Sequence, residues 1–226
     1  MIEFKNVSFA YNASIATQSL ADPTLKDAVK ATESLSQQEM ALTLDDVSFT
    51  LNAGSRTVVL GHNGSGKSTL ANLCNASLFP LSGEILVDGN STAKVPSTQI
   101  SSVVGMARQD PTAQLVCATV FDEVAFGPAN LGLPKEDIVS RVTQILELCG
   151  IADLVDAPTH TLSGGQQQLV AIAAALSLHP HYLVLDEAFS QLDTRFRNHL
   201  SKLVNNLVAN GIGVLEISHS FESLPG

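Results

Sequence analysis

The chain has 226 residues, enough for one domain or a little more and enough to bury a substantial core. Hydrophobic residues make up 45% of it and charged residues only 15%, against about 25% in typical soluble domains. This composition excludes a disordered chain and indicates that parts of the surface are buried against partners. The net charge is −10 and the twelve basic residues are scattered, which disfavours a nucleic-acid binder.

Cys74, Cys117 and Cys149 lie far apart in apolar stretches and fit no metal-ligand spacing, so we expect three buried thiols in a reducing compartment. The first residues lack a basic segment followed by an apolar one, which predicts no signal peptide. The most apolar segment, 169–178, has about half the length of a membrane span. We therefore expect no direct membrane crossing.

Loose alternation of apolar residues predicts strands within 2–11 and 41–50. Residues 12–40 differ, since they are rich in Ala, Ser, Thr and Gln and poor in large apolar groups. We expect a surface insertion there, with a short helix around 23–35 because Asp22-Pro23 resembles a helix start.

From residue 56 onward the pattern alternates between strands and helices. Strands are predicted at 57–60, 84–87, 103–107, 182–185 and 213–217, and helices at 67–78, 119–150 (broken at Pro128 and Pro134), 166–178 and 194–209. Such alternation predicts a mostly parallel sheet that is covered on both faces.

A glycine-rich turn, G-H-N-G-S-G-K-S at 61–68, lies between a predicted strand and a predicted helix. Its glycines let successive N–H groups point at phosphate oxygens, and the helix start adds partial positive charge. Lys67 would contact the β- and γ-phosphates, and the Ser68 hydroxyl is a hard ligand suited to Mg²⁺. The predicted nucleotide contacts are Gly61, His62, Asn63, Gly64, Ser65, Gly66, Lys67, Ser68 and Thr69.

The apolar run at 182–185 ends in Asp186 and Glu187. In an open α/β sheet the functional groups collect at the carboxyl ends of strands. Beside the glycine-rich turn, Asp186 would hold Mg²⁺ directly or through water, and Glu187 would orient and polarise an attacking water. The alternative is an acidic pair that caps the next helix.

A second run of small donors, Ser163-Gly164-Gly165-Gln166, precedes a long predicted helix and forms a second anion site. One chain with one phosphate turn does not need two such sites for a single nucleotide. We therefore expect a two-fold dimer in which the second site of each chain completes the first site of its partner.

The phosphate turn, the Leu-Ser-Gly-Gly-Gln element, the Asp-Glu strand end and His219 together resemble the ATP-binding-cassette ATPases, over roughly 1–11 and 41–220. The resemblance implies ATP and Mg²⁺ as cofactors and an α/β fold of the P-loop NTPase type. That fold has a RecA-like, mostly parallel sheet, an N-terminal antiparallel β part and a helical subdomain. The resemblance also implies a single domain over 1–226. Its core and antiparallel β part comprise 1–108, which contains the variable insertion at 12–40, and 166–226, while 109–165 forms the helical subdomain with the Leu-Ser-Gly-Gly element.

The same resemblance assigns roles to single residues. Tyr11 would stack on adenine, Gln109 would sense Mg²⁺ and the attacking water, and His219 would contact the γ-phosphate. Asp193 would lie in the loop that connects the two sites of the dimer. The implied catalytic residues are Lys67, Gln109, Glu187 and His219; the magnesium ligands are Ser68, Gln109 and Asp186; and the residues that reach the partner's nucleotide are Ser163, Gly164, Gly165 and Gln166.

Within this family, residues 61–69, 118–128 and 186–190 resemble the ATPase subunits of energy-coupling-factor importers, including the cobalt-type ones. This implies that ATP-driven closing of a cassette dimer powers the uptake of vitamins or transition-metal ions, at the cytoplasmic face of the membrane. The implied partners are a second ATPase, identical or paralogous, an integral membrane coupling subunit and a substrate-binding membrane subunit. Residues 109–128 would lie on the face that receives the helices of the coupling subunit.

Two features depart from the family pattern. Leu169 stands where the helix commonly carries Arg, and the chain stops seven residues after His219, so we expect a missing C-terminal region. Two alternatives remain, a partner cassette that binds ATP but hydrolyses it poorly, and a soluble cassette without a transport role. Intact Glu187 and His219 argue against the first, and the lack of paired cassettes or basic arms argues against the second.

Overall fold

The computed structural model describes residues 1–11, 41–190 and 192–219. In chain order its elements are β1 (Ile2–Phe9), β2 (Leu44–Leu51), β3 (Arg56–Leu60), α1 (Lys67–Cys74), β4 (Ser82–Val87), β5 (Asn90–Ser91), α2 (Ser97–Val103), β6 (Val104–Ala107), α3 (Val120–Asn130), α4 (Lys135–Leu148), 3-10 turns at Ala152–Leu154 and Thr159–Thr161, α5 (Gly164–Leu176), β7 (Tyr182–Asp186), α6 (Thr194–Ala209) and β8 (Gly213–Ser218).

The N-terminal strands form an antiparallel sheet in the order β2-β1-β4-β5. In β1, Ile2, Phe4, Val7 and Phe9 are buried, while most of the intervening residues are not. This is the alternation of a sheet with one face toward the core, and it is the signal that predicted the strand.

The second sheet is parallel, in the order β3-β8-β7-β6. Every residue of β7 and of β8 is buried, because both faces of a parallel sheet are covered. Alternate side chains of β7 enter different cores. Leu183 and Leu185 pack with the helices α3 to α6, whereas Tyr182 and Val184 pack toward α1 and the antiparallel sheet. The predicted α/β fold with a separate antiparallel part is confirmed.

The segment predicted to be helical at 119–150 contains α3 and α4, but the predicted break at Pro128 is wrong. Pro128 lies inside α3, which continues to Asn130, whereas Pro134 does precede the start of α4. A proline so close to the helix end removes only one of the last hydrogen bonds, so the helix tolerates it there. Helix α1 ends at Cys74, four residues before the predicted end. The helix predicted at 23–35 lies outside the described residues.

The three cysteines are free, and two of them are buried as expected. Burial raises the pKa of the Cys149 thiol to about 12 and that of Cys74 still further, so both stay protonated. Cys117 corrects the prediction, since it is only half-buried. It lies in the irregular segment between β6 and α3, which leaves it partly open to solvent.

Among the described residues, no helix combines the length and the apolar run that a membrane crossing needs.

A buried ion pair joins the edge strand β3 to β8. The Arg56 guanidinium donates to Glu216 Oε2 at 2.6 Å, and the Glu216 side chain is 1% exposed. Its Oε1 has no hydrogen-bond partner among the described residues. Burial raises the pKa of the Glu216 carboxyl, while the hydrogen bond and charge of Arg56 act against that shift. Arg56 therefore offsets part of the free-energy cost of burying the Glu216 carboxylate.

We expect Arg56→Met to lower the free energy of unfolding by about 3 kcal/mol at pH 8, because it leaves Glu216 charged and unpaired. The native carboxyl then binds its proton more tightly than the unfolded one. Stability consequently falls as pH rises from the unfolded pKa toward the raised native pKa, so the loss should be smaller at pH 5. Urea unfolding at both pH values measures this.

Lys94→Met is the control, since Lys94 pairs with Glu84 at 3.5 Å on the surface with a 78% exposed side chain. It should change stability by less than about 0.5 kcal/mol at either pH. A loss for Arg56→Met that is equally small, or that grows toward pH 5, would contradict the role of the buried pair.

Candidate functional site

The glycine-rich turn follows β3 and leads directly into α1. Gly64 and Gly66 adopt φ values of 81° and 86°, the left-handed region that glycine enters without strain. A Cβ on Gly66 would lie 2.7 Å from the carbonyl oxygen of Thr43, whereas one on Gly64 would meet nothing within 4 Å. Glycine is therefore required at position 66 for two reasons. Its backbone is in the left-handed region, and a side chain would collide with the backbone of Thr43, which precedes β2.

The Lys67 side chain is buried and folds back onto the turn. Its Nζ donates to the carbonyl oxygens of Gly61 at 2.8 Å and of His62 at 2.9 Å. The amide of Ser65 also donates to the His62 oxygen, at 3.2 Å, so the backbone of His62 closes the turn while its side chain is exposed. These hydrogen bonds within the turn hold it in shape without a bound ligand.

Asp186 is the last residue of β7 and is 6% exposed. Burial raises the pKa of its carboxyl and the charge of Glu187 adds to this, while a hydrogen bond with Ser68 and the charge of Lys67 lower it. The Oδ1 atom is buried without a hydrogen-bond partner among the described residues. A buried, unpaired carboxylate oxygen beside an exposed hydroxyl leaves room for a ligand with positive charge.

Glu187 follows at once and has φ 53°, a conformation that costs a non-glycine residue about 1–2 kcal/mol. Its amide donates to the carbonyl of Ile217 at 3.0 Å, which ties the strained residue to the end of β8. Its carboxylate lies 3.9 Å from Lys67 Nζ and 3.8 Å from His219 Nδ1. The strain directs the carboxylate toward the phosphate turn rather than along the strand.

Lys67, Ser68 and Glu187 line one cleft of about 380 Å³, whereas Asp186 and His219 are not among its lining residues. Among its lining residues, Tyr11 has its hydroxyl hydrogen-bonded to Thr69 Oγ1 at 3.0 Å, and its half-exposed ring meets Phe9 edge-on at 5.0 Å. Gln109, which comes soon after β6, lines the cleft together with Glu187. The cleft is lined by Tyr11, Thr43, Asn63, Gly64, Gly66, Lys67, Ser68, Thr69, Gln109 and Glu187.

The second predicted anion site lies elsewhere on the chain. Ser163 caps α5 in a capping box with Gln166, and Gly165 packs against the ring of Phe196. Asp193 caps α6 by accepting from the amide of Phe196 at 2.9 Å. Among the residues that line the 380 Å³ cleft, none comes from 163–166 or is Asp193. The 163–166 element therefore does not line the cleft of the phosphate turn, although Gly164 lines a smaller cavity of about 100 Å³ together with Gln109 and Glu187.

Two neighbours of the site escaped the sequence analysis. Thr43 lines the cleft although it lies before a strand in a stretch without any motif, so no local signal marks it. Arg108 is exposed, lowers the pKa of Asp186 through its charge and donates to Asn72 Oδ1 at 3.4 Å. Because Arg108 directly precedes Gln109 in the sequence, its position near the site could have been predicted.

Comparison with known proteins agrees with this geometry. The family model described as "ABC transporter" matches residues 44–190. The energy-coupling factor transporter ATP-binding protein EcfA1 of Streptococcus thermophilus is 39% identical over 225 residues, which are 99% of this chain and 73% of that protein. The EcfA1 protein of Oceanobacillus iheyensis is 36% identical over 225 residues, 99% of this chain and 72% of that protein.

Among solved structures, cbiO1 of Clostridium perfringens, described as part of the ABC transporter complex cbiONQ, has a TM-score of 0.79 and 30% identity. The match covers 99% of this chain and 80% of cbiO1.

Gly66→Ala should destabilise the protein by about 3 kcal/mol without nucleotide, because it combines left-handed strain with a backbone clash. Gly64→Ala carries the strain alone and should cost about 1 kcal/mol. Urea denaturation of the nucleotide-free variants measures both. Equal losses would show that the approach of Thr43 to Gly66 contributes nothing.

Proposed function

The chain belongs to the ABC transporter family, and we propose that it is the ATP-binding and ATP-hydrolysing subunit of an energy-coupling-factor importer. The observation that carries the proposal is the meeting of a phosphate turn, Gln109 and Glu187 in one cleft. The relatives named as energy-coupling-factor ATP-binding proteins, and cbiO1, support the importer type.

The cleft suits a nucleoside triphosphate laid along its length. The exposed ring of Tyr11 provides a flat surface for adenine, and the turn amides together with the start of α1 receive the phosphates. Lys67 Nζ would exchange its bonds to Gly61 and His62 for the β- and γ-phosphate oxygens.

The donor set fits Mg²⁺, which prefers oxygen ligands and retains water molecules. Ser68 offers a hydroxyl, Asp186, which is hydrogen-bonded to Ser68, offers the unpaired Oδ1, and Gln109, which lines the cleft with Ser68, carries an amide oxygen. No group of three His, Cys, Asp or Glu side chains suited to a metal was found in the described parts of the chain. We infer that substrate phosphates complete the coordination, and that the ion would neutralise charge on them.

Glu187 is proposed as the residue that orients and polarises the attacking water. Its carboxylate lies close to Lys67 and His219 but beyond hydrogen-bond distance of both, so it keeps lone pairs for a water molecule. His219 would contact the γ-phosphate from the end of β8. In this arrangement hydrolysis depends mainly on positioning and charge stabilisation.

We propose that two cassettes close on two ATP molecules. The 163–166 element does not line the cleft that contains the phosphate turn, so a second chain would bring Ser163, Gly164 and Gly165 to the γ-phosphate. Gln166 would stay in the capping box that orders this element. Asp193 would sit in the loop between the two sites.

The remaining partners are proposed from the relatives. Residues 109–165, which include α3 and α4, would form a helical subdomain on a core made by 1–108 and 166–226. An integral membrane coupling subunit would dock on 109–128, and a substrate-binding membrane subunit would carry a vitamin or a transition-metal ion. The chain would thus work peripherally, at the cytoplasmic face of the membrane.

Glu187→Gln should keep ATP affinity within about two-fold and lower kcat by at least about 100-fold, because the amide cannot polarise the water. Phosphate release and equilibrium nucleotide binding measure the two quantities. Glu84→Gln, a surface variant, is the control and should leave both unchanged. Turnover of Glu187→Gln within a few-fold of the unmodified chain would contradict the assignment.

The importer role is tested by capture from native membranes with Glu187→Gln held closed in MgATP. We expect a second cassette ATPase and an integral membrane coupling subunit, identified by mass spectrometry. The same capture with Lys67→Ala in the absence of nucleotide is the control, because it shows which partners are recovered when the cassettes are not held closed by ATP. Recovery of soluble or ribosomal proteins alone would overturn the membrane assignment and leave a cassette ATPase without a transport role.

A further inference from the structure

Gln109 depends for its position on the single residue that separates it from the sheet. Strand β6 ends at Ala107, and the chain then leaves the ladder through Arg108. The peptide groups of Arg108 are nevertheless fully bonded, by side chains instead of a strand. Its amide donates to Gln114 Oε1 at 2.9 Å, and its carbonyl oxygen accepts from Gln168 Nε2 at 3.2 Å.

The two glutamines hold this peptide from different elements. Gln114 belongs to the segment that follows Gln109, and its Nε2 also donates to the carbonyl of Met106 at 2.9 Å. One primary amide thus replaces a neighbouring strand along 106–108. Gln168 comes from α5, two residues after the capping box of Ser163 and Gln166, and is 3% exposed.

Because the Gln168 side chain is buried, its hydrogen bond should contribute to holding the Arg108 peptide in place. The Gln168 amide donates from a buried side chain, so removing it would cost the Arg108 carbonyl the protein partner that ties it to α5. Residues Gln109, Gln168 and Glu187 also line one small cavity of about 100 Å³. The donor that fixes the peptide before Gln109 is therefore adjacent to the carboxylate that is to activate water.

The far end of the same segment is pinned as well. The buried Glu123 carboxylate accepts from the amides of Val116 at 2.8 Å and Cys117 at 2.7 Å. Between these two anchors, the hydrogen bonds within the described part of the chain are short-range, such as those from Thr112 to Asp110. The anchor at Arg108 is the one that adjoins Gln109.

From this arrangement we propose that Gln168 and Gln114 are positioning residues for ATP hydrolysis, which clamp the Arg108 peptide and so fix the approach of Gln109 to the nucleotide cleft. Gln168 makes the orientation of Gln109 depend on α5, the helix that begins at Ser163. A displacement of about 1 Å at a group that orients the reactants is enough to slow a reaction by orders of magnitude. The inference rests on the proposed hydrolytic function.

The test replaces Gln168 by Met, which keeps the length of the side chain but removes its donor. Gln167→Met is the matched control, because Gln167 has the same type, lies on the same helix and also donates one bond, to the carbonyl of Thr159 at 3.1 Å. We expect kcat of Gln168→Met to fall about tenfold, with ATP affinity within two-fold and Gln167→Met near the unmodified chain. Both are assayed alone and in a complex assembled from each variant chain and the partner subunits that the capture identifies.

Hydrogen exchange at the Arg108 amide supplies a readout that does not depend on turnover. It should accelerate at least tenfold in Gln114→Met, with smaller acceleration in Gln168→Met and none in Gln167→Met. Gln114→Met should lower kcat as Gln168→Met does, and it keeps the test decisive if Gln168→Met fails to fold.

Unchanged exchange at Arg108 in both clamp variants would overturn the clamp itself. Accelerated exchange with kcat like that of Gln167→Met would overturn its role in hydrolysis. An equal loss of kcat and of ATP affinity would overturn it too, since that indicates general damage to the cleft. An unmodified chain that binds ATP but does not turn it over even in the complex would instead contradict the proposed function.

Discussion

The parallel pairing of four strands is the constraint on which the site depends. Because β3, β8, β7 and β6 run in the same direction, their carboxyl ends meet at one edge of the sheet. The phosphate turn leaves β3, Gln109 follows β6, Glu187 follows β7 and His219 follows β8. A register shift in any one pair would move a functional group along the strand axis by about 3.3 Å per residue.

The rest of the fold supports this edge from both sides. The apolar side chains of β7 alternate between two cores, so the central strand is fixed by the helices on one face and by α1 with the antiparallel sheet on the other. That fixation allows the strained backbone of Glu187, since a left-handed residue persists only where its surroundings determine its position. The hydrogen bond that the Glu187 amide donates to the Ile217 carbonyl adds a direct link to the neighbouring strand.

The parts of the site that could be predicted are those formed by residues close together in the sequence. The glycine-rich turn, the acidic end of β7 and the capped start of α5 are continuous motifs, because their chemistry needs adjacent backbone groups. Helix α6 was predicted with the correct limits, since Asp193 caps it and an apolar stripe continues through Leu207. The predicted break at Pro128 was wrong because a proline marks a possible helix end, but its position in the helix decides the cost.

The groups that could not be predicted are joined only by tertiary structure. Gln168 and Arg108 are 60 residues apart, and nothing in the run of three glutamines at 166–168 distinguishes the one that reaches Arg108. Thr43 enters the cleft because the chain before β2 passes over Gly66, which is a property of sheet placement and not of the residues around Thr43. Such contacts follow from the fold and not from a local pattern.

The folded-back ammonium of Lys67 has a consequence for the energetics of nucleotide recognition. Since two carbonyls already accept from it, an arriving phosphate displaces existing bonds, and the lysine contributes the difference between two sets of partners. The loop is ordered beforehand, so little chain entropy is lost when the ligand arrives. Nucleotide binding to the separate chain should therefore show only a small heat-capacity change, since ordering of the turn buries little further surface.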